Sequence, residues 1–348
     1  MKICTITCHN VYNYGARLQA YALAHYLQNH GHDVEVIDYR PYYLRNEVAV
    51  WFSPGFSIRQ WGKLILQLPE RIRAKRRQPF FDTFSRKHIP LTKQTYWSID
   101  ELRTNAPEAD VYIAGSDQIW NTLFCNGNDA AFYLDFGKKP VKRISYAASF
   151  ATQHVVDSSK DFVRQKLGLL DAISVREQSA IAILSDLGYK GIQTVDPIFL
   201  LTKEEWEKVM DNTGEGERYA LVYDFMNSPL VQKEAMRIAK EKGLKLYAIG
   251  DQRLWYCNRN YIYAGPDTFL SLIRNASYIV SNSFHGTAFA ILFQIPYSII
   301  DREDGLNVRM HDLQQLNADC LHQLQLESMA YLQRHCDASS SLNNKPRP

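Results

Sequence analysis

The sequence predicts an α/β protein, with two consecutive parallel-sheet domains facing each other across a cleft. Two observations point there. Short β-branched runs alternate with stretches of helical spacing along most of the chain. The alternation lapses at the polar stretch 211–217 and then starts again, so a second series follows the first. A length of 348 residues with 46% hydrophobic side chains suffices for two cores. The expected division is 1–205, then 206–336 with its closing helices, then a disordered tail over 337–348, rich in Ser, Asn and Pro.

The opening run Lys2-Ile3-Cys4-Thr5-Ile6-Thr7 reads as a strand rather than a leader, because it is short and His9 and Asn10 follow at once. Asn13 and Gly15 make a turn. From Leu18 to Leu27 apolar residues recur at helical spacing, and Gly31 stands where a C-terminal cap belongs. Asp33 to Asp38 is the second strand and completes a βαβ unit. Residues 51–90 interrupt the rhythm. Between 59 and 77, seven basic side chains (Arg59, Lys63, Arg71, Arg73, Lys75, Arg76, Arg77) stand against one acid, Glu70. Trp61, Leu64, Ile65, Leu66, Leu68 and Ile72 are interleaved with them. This insertion reads as a solvated helix or hairpin; the alternative is a surface touching anionic lipid headgroups.

Strands resume at 110–115, 143–149, 172–176 and 193–197, with a helix over 177–187 before Gly188. Pro197 closes the series, because proline cannot continue a central strand. The second series has strands at 218–224, 244–249, 278–280 and 297–300, with helices at 230–242, 266–276 and 285–293. Residues 308–335 read as helical. A net charge of +3 is too small to argue for nucleic acid. No apolar run is long enough to span a bilayer, and the six cysteines match neither a zinc motif nor a disulfide framework. A cytoplasmic protein is expected.

In open α/β sheets, ligands gather at the carboxyl ends of the strands, and four motifs stand there. Ser281-Asn282-Ser283-Phe284-His285-Gly286-Thr287 lies between a strand and a helix. Its free N–H groups suit an anion, with His285 beside it as a proton donor, unless His285 is a buried structural histidine. Asn13, Gly15 and Arg17 lie between the first strand and the first helix. There an amide, a glycine backbone and a cation can approach a ligand, although Arg17 also reads as a surface residue. Ser116, Asp117, Gln118, Trp120 and Asn121 follow Gly115. Their polar groups suit sugar hydroxyls and the indole suits a pyranose face; a helix cap is the plainer reading. Arg176, at the end of a buried strand, suits a carboxylate or phosphate, or else pairs with Glu177 or Asp196. No metal-ligand motif is present in the sequence.

The blocks NYGARLQAYAL (13–23), GSDQIWN (115–121), SYAASF (145–150), SVREQSA (174–180), VDPIFLL (195–201), SNSFHGTAFAILFQIPY (281–297) and NVRMHDLQQL (307–316) resemble, in this order, the signature blocks of the polysaccharide pyruvyl transferase family. The resemblance spans roughly residues 3–320. It implies two Rossmann-like domains in a GT-B-like arrangement. It also implies transfer of the enolpyruvyl group of phosphoenolpyruvate to sugar hydroxyls, giving a pyruvate ketal in surface polysaccharide biosynthesis. By resemblance, His285 is the active-site histidine and Arg176 holds the donor. Relatives often carry an arginine two residues before the histidine, where this chain has Ser283, and Arg17 is expected to compensate. The donor site expected is Ser283, Gly286, Thr287, Asn13, Gly15 and Arg17, and the acceptor site is the 116–121 motif. No metal or cofactor is demanded. The expected partner is a sugar carried on a nucleotide, lipid or oligosaccharide, met in the cytoplasm or at the inner membrane face. The alternatives are a glycosyltransferase of the same architecture using a nucleotide sugar, and a non-catalytic glycan-binding protein.

Overall fold

The computed structural model describes residues 1–44, 58–137, 140–302, 308–315 and 317–337. The first sheet contains β1 (Lys2–Ile6), β2 (Asp33–Tyr39), β3 (Leu91–Tyr96), β4 (Val111–Ala114) and β5 (Lys142–Ser145). A short pair follows, β6 (Ser174–Val175) and β7 (Ile192–Gln193). The second sheet contains β8 (Tyr219–Tyr223), β9 (Lys245–Ile249), β10 (Arg259–Tyr261), β11 (Tyr278–Ser281) and β12 (Tyr297–Ile299). The first seven helices are α1 (Tyr14–Asn29), α2 (Ile58–His88), α3 (Ile99–Asn105), α4 (Lys160–Leu167), α5 (Gln178–Asp186), α6 (Lys203–Glu207) and α7 (Pro229–Lys242). They are followed by α8 (Pro266–Arg274), α9 (Phe284–Leu292), α10 (Val308–Gln315) and α11 (Ala318–Cys336).

The strand orders are β3-β2-β1-β4-β5 and β10-β9-β8-β11-β12, parallel throughout. Each sheet is therefore one Rossmann-like unit, and the second repeats the winding of the first. The central strands β4 and β8 are buried along their whole length, as parallel strands covered on both faces must be. In each sheet the chain reverses its winding between the first and fourth strands. The two crevices so formed lie after β1 and β4 and after β8 and β11.

Helix α1 begins at Tyr14, four residues ahead of the apolar spacing, because the Asn13 side chain caps it by accepting from the Ala16 N–H at 3.1 Å. It is buried on nearly every side, since small and apolar residues surround it. The insertion is a helix, α2, with residues 51–57 outside the described part. Its solvated character fails at the C-terminal end, where Phe81 and Phe84 are buried. Arg77 also lies over the Tyr14 and Phe81 rings at 4.9 and 4.8 Å, because a guanidinium between aromatic faces keeps a favourable contact without water. Lys75 and Arg76 remain exposed. The edge strands β3 and β10 and the short helices α3, α4 and α6 were not expected. Residues 91–96 (LTKQTY) and 259–261 (RNY) lack the apolar content that marks a central strand.

The segment 308–335 is two helices, with Asn317 capping α11 by accepting from the Cys320 N–H at 2.7 Å. Helix α11 returns to the first sheet. The Ser328 hydroxyl accepts from the Val195 N–H at 2.9 Å, and the Tyr331 hydroxyl donates to the Ser145 carbonyl at 3.0 Å. A helix grouped by chain order with the second half thus packs on the first. The expected disordered tail lies, from 338 on, outside the described residues. One apolar cluster runs through both domains. Tyr14 of α1 stacks on Phe269 of α8 at 4.5 Å and on Phe81 of α2 at 5.0 Å, so the two sheets share a seam of aromatic rings.

Candidate active site

The two crevices face each other. From the second domain, α9 starts directly after β11 and carries His285 in its first turn. Ser283 caps this helix, its hydroxyl accepting from the Gly286 N–H at 3.3 Å, while Thr287 donates to the Ser283 carbonyl at 3.0 Å. Beneath the turn, the Ser281 hydroxyl accepts from the Ser283 N–H and donates to the Tyr223 carbonyl. A side chain at Gly286 would meet Ser281 and Tyr223 within 3 Å, so the turn is packed tightly against β8. Asn282 ties the ends of β8 and β11 together by donating to Asp224 at 2.6 Å.

His285 reaches into the first domain. Its ring lies on the backbone of Gly15, where a Cβ would sit 1.9 Å from Nδ1. Glycine at the start of α1 is thus what admits the imidazole. Nε2 points to Asp196, 3.5 Å from Oδ2, and has no hydrogen-bond partner. Asp196 is placed by the turn after β7, where it caps residues 197–200 by accepting from the Ile198 N–H at 3.1 Å, with Pro197 at the first position.

Arg176 comes from the end of β6. Its Nη1 donates to Asp196 Oδ2 at 2.5 Å and its Nη2 to Asp117 Oδ1 at 3.3 Å. The guanidinium lies 4.6 Å over the ring of Phe284, a residue of the second domain. Its Nε is buried without a hydrogen-bond partner. Burial by itself raises the Asp196 carboxyl, but the neighbouring His285 and Arg176 outweigh burial and hold it well below the usual range. Burial likewise disfavours the Arg176 charge; Asp196, Asp117 and Glu177 more than restore it, and its pKa is raised. Glu177 turns away to accept from the Ser149 hydroxyl and the Ala151 N–H, both at 2.9 Å. The result is a continuous chain of groups, His285–Asp196–Arg176–Asp117, with an imidazole from one domain and the rest from the other.

The structure thus brings together Gly15, Asp117, Arg176 and His285. Asn13 stands beside them as the α1 cap. Arg17 is turned towards α2, where it is bonded to Ser85, the Val11 carbonyl at 3.2 Å, Asn10 at 3.3 Å and Asp82 at 3.5 Å. Burial pushes its pKa down to about 10. The 116–121 motif divides. Ser116 is buried and donates to the Ala147 carbonyl at 2.7 Å, while Asn121 donates to Gln118 at 2.9 Å. Trp120 offers no face to a sugar: it is fully buried, stacked on Tyr133 at 5.5 Å, with its N–H donating to the Phe132 carbonyl at 2.9 Å. An indole that finds both a ring partner and a carbonyl inside the core has no reason to face water.

Asp196 was foreseen only as a pairing partner of Arg176. Its signal was a lone charge between an apolar strand and a proline-led turn. Phe284 and Tyr14 gave none beyond apolarity. Among the described residues, no group of three or more His, Cys, Asp or Glu is placed to hold a metal ion, and no helix is long and apolar enough to cross a membrane.

Among solved structures, the chain is similar to UDP-N-acetylglucosamine 2-epimerase from Rickettsia bellii at 10% identity and TM-score 0.47, covering 97% of this chain and 99% of that one. It is also similar to UDP-GlcNAc 2-epimerase from Neisseria meningitidis bound to UDP-GlcNAc, at 11% identity and TM-score 0.44, covering 99% and 95%. E. coli heptosyltransferase WaaC with ADP-2-deoxy-2-fluoro heptose follows at 13% identity and TM-score 0.37, covering 94% and 99%. Comparison with curated protein sequences gives no match. The family model for polysaccharide pyruvyl transferase matches residues 13–304, from the α1 cap through β12, and takes in the whole Gly15–Asp117–Arg176–Asp196–His285 constellation. The chain belongs to the polysaccharide pyruvyl transferase family.

Proposed function

We propose that the protein transfers the enolpyruvyl group of phosphoenolpyruvate to two hydroxyls of a sugar, closing a pyruvate ketal during synthesis of a surface polysaccharide. One observation supports this most directly. A histidine and an arginine from opposite domains meet on one buried carboxylate, Asp196, at the facing ends of two Rossmann-like sheets. The reaction needs an acid beside a cation. His285 protonates the methylene carbon as a sugar oxygen attacks the neighbouring carbon. Arg176 offers its fork to the carboxylate or to the phosphate that departs. Asp196 keeps both groups oriented. Neither a metal nor a further cofactor enters this scheme.

The acceptor is a sugar on a nucleotide, lipid or oligosaccharide carrier, met where phosphoenolpyruvate is made, in the cytoplasm. The exposed Lys75 and Arg76 on α2 suit a lipid-linked acceptor at the inner membrane face. The test is thermal stabilisation of the purified protein by phosphoenolpyruvate and, in parallel, by several nucleotide sugars. A shift with phosphoenolpyruvate that is lost in His285→Ala and Arg176→Ala is expected. A shift with a nucleotide sugar alone overturns the reading in favour of a glycosyltransferase, and no shift with any of them favours a glycan-binding protein.

A further inference from the structure

The two carboxylates that hold Arg176 differ in reach. The Asp196 side chain is wholly buried, whereas Asp117 is 16% exposed, against 3% for Arg176 and 8% for His285. Within this cluster, Asp117 is the carboxylate that a bulky sugar can touch. Its hold on Arg176 is also the looser one, at 3.3 Å against 2.5 Å for Asp196. On the same guanidinium, Nε is buried with no hydrogen-bond partner. Nε and Nη2 form one edge of the fork, the edge that takes an oxyanion through two parallel bonds. Here it carries one long contact and one donor with no acceptor.

The backbone points the same way. Asp117 has φ 69°, in the left-handed region that side chains other than Gly, Asn and Asp seldom enter. The conformation is held by its carbonyl, which accepts from the Ile119 N–H at 2.8 Å and the Ser149 N–H at 3.0 Å. A residue fixed this way at the end of β4 places its carboxylate at a defined spot above the crevice.

We infer that Asp117 is the general base for the acceptor hydroxyl, and that the donor itself releases it. Without donor, Arg176 holds Asp117. An anionic group of the donor takes the Nε–Nη2 edge and displaces the Asp117 carboxylate towards the sugar. Asp117 serves this role only if the transfer proposed above is the reaction. In the first step the hydroxyl proton passes to Asp117 and the sugar oxygen bonds to C2 of the enolpyruvyl group. The C2=C3 pair meanwhile takes a proton from protonated His285, giving a methyl group. In the second step the C2–O bond to phosphate breaks, and phosphate carries off the proton held by Asp117. A second sugar hydroxyl bonds to C2, and its proton restores His285. Both side chains end as they began.

The test is Asp117→Asn, which keeps the shape and tolerates the left-handed backbone. Binding of phosphoenolpyruvate and of inorganic phosphate is measured by calorimetry. Turnover is measured as phosphate release from phosphoenolpyruvate with a panel of nucleotide-, lipid- and oligosaccharide-linked glycosides. The expected result is anion binding at least as tight as in the parent protein, with turnover lower by about 100-fold or more. Weaker anion binding, or turnover within a few-fold of the parent, overturns the inference. If Asp117→Asn does not fold, Asp117→Glu decides: it keeps the charge, so retained but slowed turnover supports the role and unaltered turnover overturns it. A parent protein that binds phosphate but not phosphoenolpyruvate, or releases no phosphate with any glycoside, removes the proposed transfer and the base role with it. Displacement at Arg176 is then still judged by the phosphate affinity of Asp117→Asn.

Discussion

Gly15 and His285 show how one residue licenses another. The imidazole occupies the space that any side chain at position 15 would fill, 1.9 Å from where its Cβ would lie. Gly15→Ala is therefore expected to displace His285 and to cost about 1–3 kcal/mol of stability through overpacking. Thermal unfolding together with phosphate release from phosphoenolpyruvate would register both effects; unchanged stability and turnover would contradict the contact. Arg17 was expected to replace a missing donor-site cation, yet its guanidinium is engaged by four groups near α2. Arg17→Ala is expected to lower stability by about 1–3 kcal/mol, because it strands the buried Ser85 hydroxyl, while leaving the proposed phosphoenolpyruvate binding in place. Urea unfolding and calorimetry separate the outcomes: normal stability with lost binding would return Arg17 to the donor site. His285 and Arg176 could be named from the sequence because each follows an apolar strand within a polar motif. Asp196 lay in the same kind of position, but nothing in the sequence says that one carboxylate serves two distant side chains.

At the scale of elements, α11 carries a pH response. Burial holds His335 down to about 4, below its ordinary value of 6.5. The unfolded chain therefore binds a proton that the folded one refuses. The stability so conferred is complete above about pH 6.5 and is lost as pH falls towards about 4. His335→Gln is expected to flatten the decline in melting temperature over that window; an identical decline would exclude His335 as a source. Helix α2 divides by face. Its last turns pack against α1 and α8, while Lys75 and Arg76 stay in water. If a lipid-linked acceptor draws the protein to a membrane, Arg73, Lys75 and Arg76 changed together to Glu should abolish sedimentation with phosphatidylglycerol vesicles. Binding that persists, or that the parent protein never shows, removes that contact. The central strands and the long helices were legible because a buried strand and a buried helix each leave a periodic trace. The edge strands β3 and β10 left none, being short and half polar.

At the scale of the molecule, the domains are joined by more than a linker. Tyr14 stacks on Phe269, donates to the Ala264 carbonyl at 3.3 Å and lies under Arg77. Trp206 similarly bridges Tyr21 of α1 and Phe289 of α9. Removing the Tyr14 ring should cost about 3–5 kcal/mol and loosen one sheet from the other. Calorimetric unfolding of Tyr14→Ala is expected to split into two transitions. A single transition at the parent temperature would mean that the seam does not couple the domains.

The sequence by itself determined the α/β class, the two successive parallel series and the motifs at their strand ends. These follow from local periodicity and from polar residues placed where apolar runs stop. Only the tertiary structure decided which motif faces which. It set His285 on Gly15, joined Arg176 to both Asp196 and Asp117, buried Trp120 and carried α11 back to the first sheet. Those choices depend on contacts between separate elements, 20 positions apart for Arg176 and Asp196 and 133 for Val195 and Ser328, and local spacing carries no record of such partners.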